Sequence, residues 1–362
     1  MRRMPVEYVQ SGMMLAKTVY SAGGNVLLGK GVTLKQGDLA QLTRFGIQSV
    51  YVDDPLAYGI EVPEVLSDTT RNGAITSLRK VYENLNKGEN LAYNCVEEIA
   101  DQVVQEVEQR SSAAVVNLTD VRANQEYTYA HCVNVATFAV LAGSSMGIKG
   151  QELRELTVGA LLHDIGKVRV HPHILNKPDK LTEGEFSEVK KHSLSGFEIL
   201  CDIPDLPNHC KEIAFQHHER FDGTGYPRKL AGNGIHRFAR ITAVADVYDA
   251  LVADRPYRRG FAPHQAVEII SNGLGTHFDP EVGRSFLTKV AQYPPGTVVE
   301  LSTGDQGVVE QVPATKPNLP IVRLFPRSKT QSSIALEEFP QVSIKRAVTE
   351  EEIVKLRNGL NK

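Results

Sequence analysis

Two adjacent imidazoles, His217 and His218, open the segment His-His-Glu-Arg-Phe-Asp-Gly-Thr-Gly-Tyr-Pro, which closes at Pro227. It joins candidate metal ligands to a glycine-rich turn, so a metal site and a substrate loop can share it. Upstream, His163 and Asp164 stand together in HDIGK, with His131 before them, His192 between the two segments and Asp246 after both. The gaps are 32 residues from His131 to His163, 28 from Asp164 to His192 and 28 from His218 to Asp246, each the length of a helix plus a loop. Imidazoles mixed with carboxylates suit iron, manganese or zinc, and a set without cysteine argues against a structural zinc site.

At these residues the chain resembles the HD-GYP family, bacterial phosphodiesterases built on the HD-type helical fold, whose signatures HDIGK and HHExxDGxGYP are both complete here. The resemblance extends to KxHxxxG, read at Lys190 (or Lys191), His192 and Gly196, and to the ADVYDAL and RPYR stretch from Ala245 to Arg258. Agreement at several separated motifs, over about residues 112 to 290, is far more specific than any one of them. It implies a metal-dependent phosphodiesterase that opens cyclic di-GMP to pGpG and onward to GMP, with two divalent transition-metal ions, Fe or Mn. One ion would take His131, His163, Asp164 and Asp246, and the other Asp164, His192, His217 and His218, with Asp164 bridging. Such a pair lowers the pKa of a bridging water and neutralises phosphoryl charge, which answers the reluctance of a phosphodiester anion to be attacked.

The resemblance gives Lys167 a place on a nonbridging phosphate oxygen or the leaving group, and Arg255 and Arg258 a place on the substrate phosphates. Gly223 and Gly225 permit a turn that side chains would forbid, and Tyr226 on that turn can stack on a nucleotide or hydrogen-bond to it. Asp222 is expected to brace the turn without touching metal. Family members with a third metal carry a glutamate four residues before the first ligand histidine, where this chain has Tyr127. Glu126 is next to it but about 100° around a helix, so two metals are expected. Two other readings stay open: a non-catalytic cyclic di-GMP receptor, and a hydrolase of another nucleotide, hybrid cyclic dinucleotides included. Intact motifs favour the enzyme over the receptor.

Composition narrows the partners. Lys and Arg total 40 against 43 Asp and Glu, a net charge of −3, which provides no global field for a polynucleotide. Basic residues cluster only locally, at Lys167 to Arg169, at Lys190 and Lys191, and from Arg255 to Arg259. The N-terminal MRRMPVEYVQ has no apolar region behind its arginines, and no apolar stretch is long enough to span a bilayer, so a cytoplasmic protein without membrane insertion is expected. Cys95, Cys132, Cys201 and Cys210 lack zinc or redox spacing and read as buried reduced thiols. His171, His173, His209, His236, His264 and His277 fall outside the ligand spacing.

The fold class expected is mainly α: an all-helical HD-type catalytic domain over 112–293, a small α/β N-terminal unit over 1–60, and a small β-rich appendage over 294–362 with a solvated terminal helix. Residues 61–111 carry two apolar stripes at helical spacing and read as a helical linker, a homodimer contact, or helices packed on their own domain. Helices are expected from about 125 to 145, 151 to 165, 208 to 218 and 237 to 253. Gly166 should end the second. Thr182 with Glu185 forms a capping box, and Leu181 with Phe186 a hydrophobic staple, at the start of the helix holding His192.

Overall fold

The structure, a computed structural model, describes residues 1–21, 25–110, 127–177, 179–254, 259–325 and 332–360. The expectations for Glu126, Arg255 and Arg258 lie outside the described residues, as does the side chain of Tyr127.

The N-terminal unit contains β1 (Arg2–Pro5), β2 (Met14–Leu15), the antiparallel pair β3 (Val19–Tyr20) and β4 (Val26–Leu28), α1 (Gln36–Arg44) and β5 (Ser49–Asp53). Its three-stranded antiparallel sheet runs β1-β5-β2, with Arg3 opposite Tyr51 and Pro5 opposite Ser49. Met4, Leu15, Leu34, Leu42 and Val50 form its core.

Helices then follow one another: α2 (Asp68–Asn86), α3 (Tyr93–Arg110), α4 (Tyr127–Ser145), α5 (Gly150–Leu162), α6 (Pro172–Leu175), α7 (Glu183–Lys190), α8 (His192–Cys201), α9 (Asn208–Gln216), α10 (Arg237–Val252), α11 (Pro263–Asn272) and α12 (Pro280–Leu287). The stripes Ile75, Leu78, Val81, Tyr82 and Val96, Ile99, Val103, Val107 turn inward and join one continuous core with α4, α5 and α10. Between Ala130 and Gly143, α4 is buried on every side, as a helix apolar all round must be. Phe138, Tyr248 and Phe286 lock α4, α10 and α12 together, with ring centroids 5.1 to 5.9 Å apart. Each such fully buried ring contributes roughly 1.5–3 kcal/mol. The scaffold around the ligand-bearing helices is therefore one closely packed apolar core.

The chain ends in a five-stranded antiparallel sheet of β6 (Val298–Leu301), β7 (Gln306–Gln311), β8 (Ile321–Leu324), β9 (Ser333–Ala335) and β10 (Ile344–Ala347), in the order β10-β6-β7-β8-β9, followed by α13 (Glu350–Leu360). The terminal helix is not simply solvated. Ile353 is buried in one cluster with Ala57, Ile60, Val298, Val308 and Val348, which sews the two ends of the chain together. Arg2 reinforces the seam, giving Nε to Asp54 and Nη1 to Glu350, both at 2.6 Å, while Arg357 also reaches Asp54.

Three local expectations change. The helix α5 stops at Leu162, so His163 and Asp164 occupy a break before a 3-10 turn over Ile165–Arg169. Gly166 does not end the helix; it lies inside that turn, where an added Cβ would fall 2.0 Å from the His192 carbonyl oxygen and 2.4 Å from the Gly196 nitrogen. The capping box of Thr182 and Glu185 forms, but Phe186 is 46% exposed with Lys190 over its ring, and the helix breaks at Lys191 so that His192 begins a second one. Among the cysteines, Cys132 and Cys210 are buried, Cys95 is half-buried and Cys201 is exposed.

Candidate active site

Breaks in the helices place the ligands. His163 and Asp164 follow the end of α5, His217 and His218 follow the end of α9, and His192 starts α8, so side chains converge where backbone direction changes. His131 comes from the second turn of α4 and Asp246 from the middle of α10. The close approach of Gly166 and Gly196 brings the first break against α8, which gives KxHxxxG its glycine a physical reason.

The imidazoles are held by their far nitrogens. His163 Nδ1 donates to the Ala160 carbonyl at 2.7 Å, His192 Nδ1 to Val189 at 2.6 Å, and His217 Nδ1 lies 3.0 Å from the carbonyls of both Ile213 and Ala214. A carbonyl can only accept, so each Nδ1 carries the proton and each Nε2 presents a lone pair. His131 is likewise held from behind, Nδ1 donating to Asp249 Oδ2 at 2.7 Å, and Asn134 Nδ2 holds the other oxygen of Asp249 at 3.0 Å. Fixing the tautomer from behind is how proteins orient imidazoles toward a metal.

The inward-facing atoms are then mostly acceptors. His192 Nε2 and His217 Nε2 are 3.2 Å apart, and Asp164 Oδ1 lies 3.4 Å from the first and 3.9 Å from the second. His163 Nε2 is buried with no hydrogen-bond partner and sits 3.4 Å from Asp164 Oδ2. Such convergence of lone pairs and carboxylate oxygens, unfavourable by itself, fits a cation. Three overlapping sets have ligand atoms all within 4.8 Å of one another: His131, His163 and Asp164; His192, His217 and His218; His163, His217 and Asp246.

The electrostatics agree. Burial, with the neighbouring imidazoles, drives His217 well below its ordinary value and His218 down to about 3, so both are neutral bases at pH 7. Burial opposes charge on His131 as well, but the carboxylates of Asp246, 3.0 Å from Nε2, and Asp249 outweigh it and hold that imidazole up at about 9. Burial works against ionised Asp164, yet Lys167 and the surrounding imidazoles keep its carboxyl far below the usual range. The half-buried Lys167 ammonium donates to Asp164 Oδ2.

The loop after His218 is built around Glu219, which is 2% exposed and accepts the main-chain N–H of Arg228 at 2.7 Å and of Leu230 at 3.0 Å. Asp222 accepts from the N–H and hydroxyl of Thr224, closing the turn without reaching the ligand set. Gly223 has φ +80°, and a Cβ on Gly225 would fall 2.3 Å from the Arg220 nitrogen. Tyr226 is thereby stacked on His218, ring centroids 4.7 Å apart, with Lys190 Nζ 5.5 Å from the centre of its ring. Thr276 and His277 brace the same loop through their carbonyls, which accept from Asp222 and Phe221.

A sequence model of the family described as HD domain matches residues 94–282. A Pseudomonas aeruginosa protein named a cyclic di-GMP phosphodiesterase is 31% identical over 360 residues, covering 90% of this chain and 85% of that one. The chain belongs to the HD-GYP family of HD-domain phosphohydrolases. A Vibrio cholerae relative named a 3'3'-cGAMP-specific phosphodiesterase is 39% identical over 161 residues, but that match spans only 44% of this HD-GYP protein and 35% of the relative. Among solved structures, an HD-GYP-type protein from Bdellovibrio bacteriovorus shares the fold, with TM-score 0.50 at 19% identity over 78% of this chain and 97% of that one.

The structure thus brings together His131, His163, Asp164, Lys167, His192, His217, His218, Tyr226 and Asp246. Asp249, Asn134 and Glu219 escaped the sequence reading as working residues. Asp249 is one turn beyond Asp246 in the ADVYDAL stretch, and Glu219 is the acid of HHE, so a signal was present for both. Asn134 had none. Exposed His171 and His173 lie outside the cluster, His209 pairs with Glu155, and His264 stacks on Tyr293. No described helix is long and apolar enough to cross a membrane.

Proposed function

We propose that this HD-GYP protein hydrolyses cyclic di-GMP in the cytoplasm, to pGpG and onward to GMP, at a binuclear iron or manganese site. The observation that carries the reading is the convergence of His163, His192 and His217 Nε2 lone pairs on the Asp164 carboxylate, with every opposed Nδ1 already committed to a carbonyl. His131, His163, Asp164 and Asp246 would hold one ion, and Asp164, His192, His217 and His218 the other. When bound, such a pair supplies acidity to the attacking water and charge neutralisation to the phosphoryl oxygens.

The protein's own groups do the rest. Lys167, anchored on Asp164, puts a fixed positive charge where a phosphate oxygen or leaving oxygen would lie. Tyr226 offers an aromatic face at the rim, held by His218 beneath it and by the loop that Glu219 braces. Gly223 and Gly225 let that loop lie close enough for contact, and Arg255 and Arg258 are assigned to the substrate phosphates. The relative that matches along nearly the whole chain carries a cyclic di-GMP name, which supports that substrate.

A second reading is hydrolysis of 3'3'-cGAMP, favoured by the three V. cholerae relatives named for it. Protein purified without oxygen and reloaded separately with Fe(II) and Mn(II) should convert cyclic di-GMP to pGpG and GMP, read by chromatography. It should do so with kcat/KM above that for 3'3'-cGAMP. The reverse ratio would transfer the assignment, and tight binding of cyclic di-GMP with no turnover would make the protein a receptor.

A further inference from the structure

Phe186 and Lys190 stand four residues apart on α7, one turn from each other on a single face of the helix. Lys190 Nζ lies 4.6 Å from the centre of the Phe186 ring and 5.5 Å from the centre of the Tyr226 ring, so one ammonium is within cation–π reach of two aromatic side chains. Tyr226 in turn stacks on His218, with ring planes 29° apart, and His218 shares a ligand set with His192 and His217. A row of contacts therefore leads outward from the candidate metal site through His218, Tyr226, Lys190 and Phe186. The first three are half-buried, and only Phe186, 46% exposed, opens fully to solvent.

A single exposed phenylalanine is ordinary on a protein surface. What sets this one apart is the cation beside it. Lys190 has no carboxylate partner among the described residues, because Glu185 and Glu188 of the same helix are taken by Lys177 and Lys191. The cluster itself already has a cation in Lys167, which sits on Asp164. With a phosphodiester held at the cluster, the bases of a cyclic dinucleotide extend away from it, toward the rim where the row lies. Aromatic rings stack on the π-face of any base, whereas an ammonium distinguishes between bases: guanine offers the acceptors O6 and N7 on one edge, and adenine places the N6 donor there. We propose that Phe186, Lys190 and Tyr226 form a guanine-binding step at the rim of the site, Phe186 stacking on the base and Lys190 donating to its O6 and N7. This deepens the reading of the cluster as a cyclic-dinucleotide hydrolase and rests on it.

The test uses the full chain loaded with Mn(II) and the phosphorothioate analogues of cyclic di-GMP and cyclic di-AMP, which resist hydrolysis, with dissociation constants from calorimetry. Wild type should bind the guanine analogue about tenfold or more tightly than the adenine one. Lys190→Met should weaken the guanine analogue alone and bring the two affinities within about twofold, while Lys190→Arg, which keeps the donors, should retain the preference. Phe186→Ala, at an exposed position, should weaken both analogues about fivefold or more. Metal content should match wild type in all three variants. A wild type indifferent to the base, a Lys190→Met that weakens both analogues equally as a phosphate contact would, a loss of metal, or a Phe186→Ala without effect would overturn the proposal. Turnover of cyclic di-GMP together with base-indifferent binding would sink the guanine step and leave the hydrolase. A guanine preference removed by Lys190→Met, in a protein that turns over no cyclic dinucleotide, would do the opposite.

Discussion

Charge is buried in two places in this molecule, and the two are built on opposite plans. At the seam between the chain's ends, Arg2 and Arg357 converge on Asp54, Glu350 accepts from Arg2 Nη1, and cation meets anion within the chain. At the ligand cluster, imidazole lone pairs face one another and a carboxylate, with Lys167 as the neighbouring cation. The seam carries its own counter-charges. The cluster becomes favourable only with positive charge at its centre, which separates a structural site from a working one although charge is buried in both.

The sharpest break of this comparison is Asp164→Ala. It should cut turnover by about a thousandfold or more, because it removes the ligand shared by both ion positions. Metal content should fall with it, while Tm of the metal-free protein changes little. Asp54→Ala should do the reverse, costing about 3 kcal/mol by removing the carboxylate shared by buried Arg2 and half-buried Arg357, with the metal bound per folded chain unaltered. Equal metal loss in both variants would erase the distinction.

Gly166→Ala probes how the cluster is assembled. Its Cβ has no room beside the His192 carbonyl, so α8 must shift, at a cost of about 1–3 kcal/mol and with weakened metal retention. Denaturant unfolding with elemental analysis on the same preparation checks both; a variant as stable and as metal-rich as wild type would contradict the packing argument.

The smallest effect expected is a pH dependence. His131 in the metal-free protein is held up at about 9 against an ordinary 6.5, so its stabilisation is fully present below about pH 6.5 and is lost as pH rises through about 9. Metal-free protein should lose Tm over that interval and metal-loaded protein should not. A metal-free Tm that climbs across it would show that the Asp246 and Asp249 pairing is not stabilising.

Much of this was readable in the chain because six of the seven ligand-type residues lie in short motifs, His131 being placed by spacing, and because the apolar stripes of residues 64 to 110 mark helices whatever they pack against. What sequence hid was geometric. A glycine in HDIGK reads as a helix stop, whereas Gly166 is small because the His192 turn presses on it from a segment 26 residues away. The break at Lys191 is invisible to periodicity, since both sides of it are helical. Asn134 looks like any polar residue on α4 until Asp249 is found opposite it. The C-terminal helix read as solvated because the partners of its buried Ile353 include Ala57 and Ile60, from the far end of the chain.

The central claim is that the cluster exists to hold two metal ions, and elemental analysis of protein purified without oxygen addresses it most directly. The account predicts two iron or manganese ions per chain in the wild type and a clear loss in Asp164→Ala. Three ions per chain, none, or a content indifferent to Asp164 would contradict it.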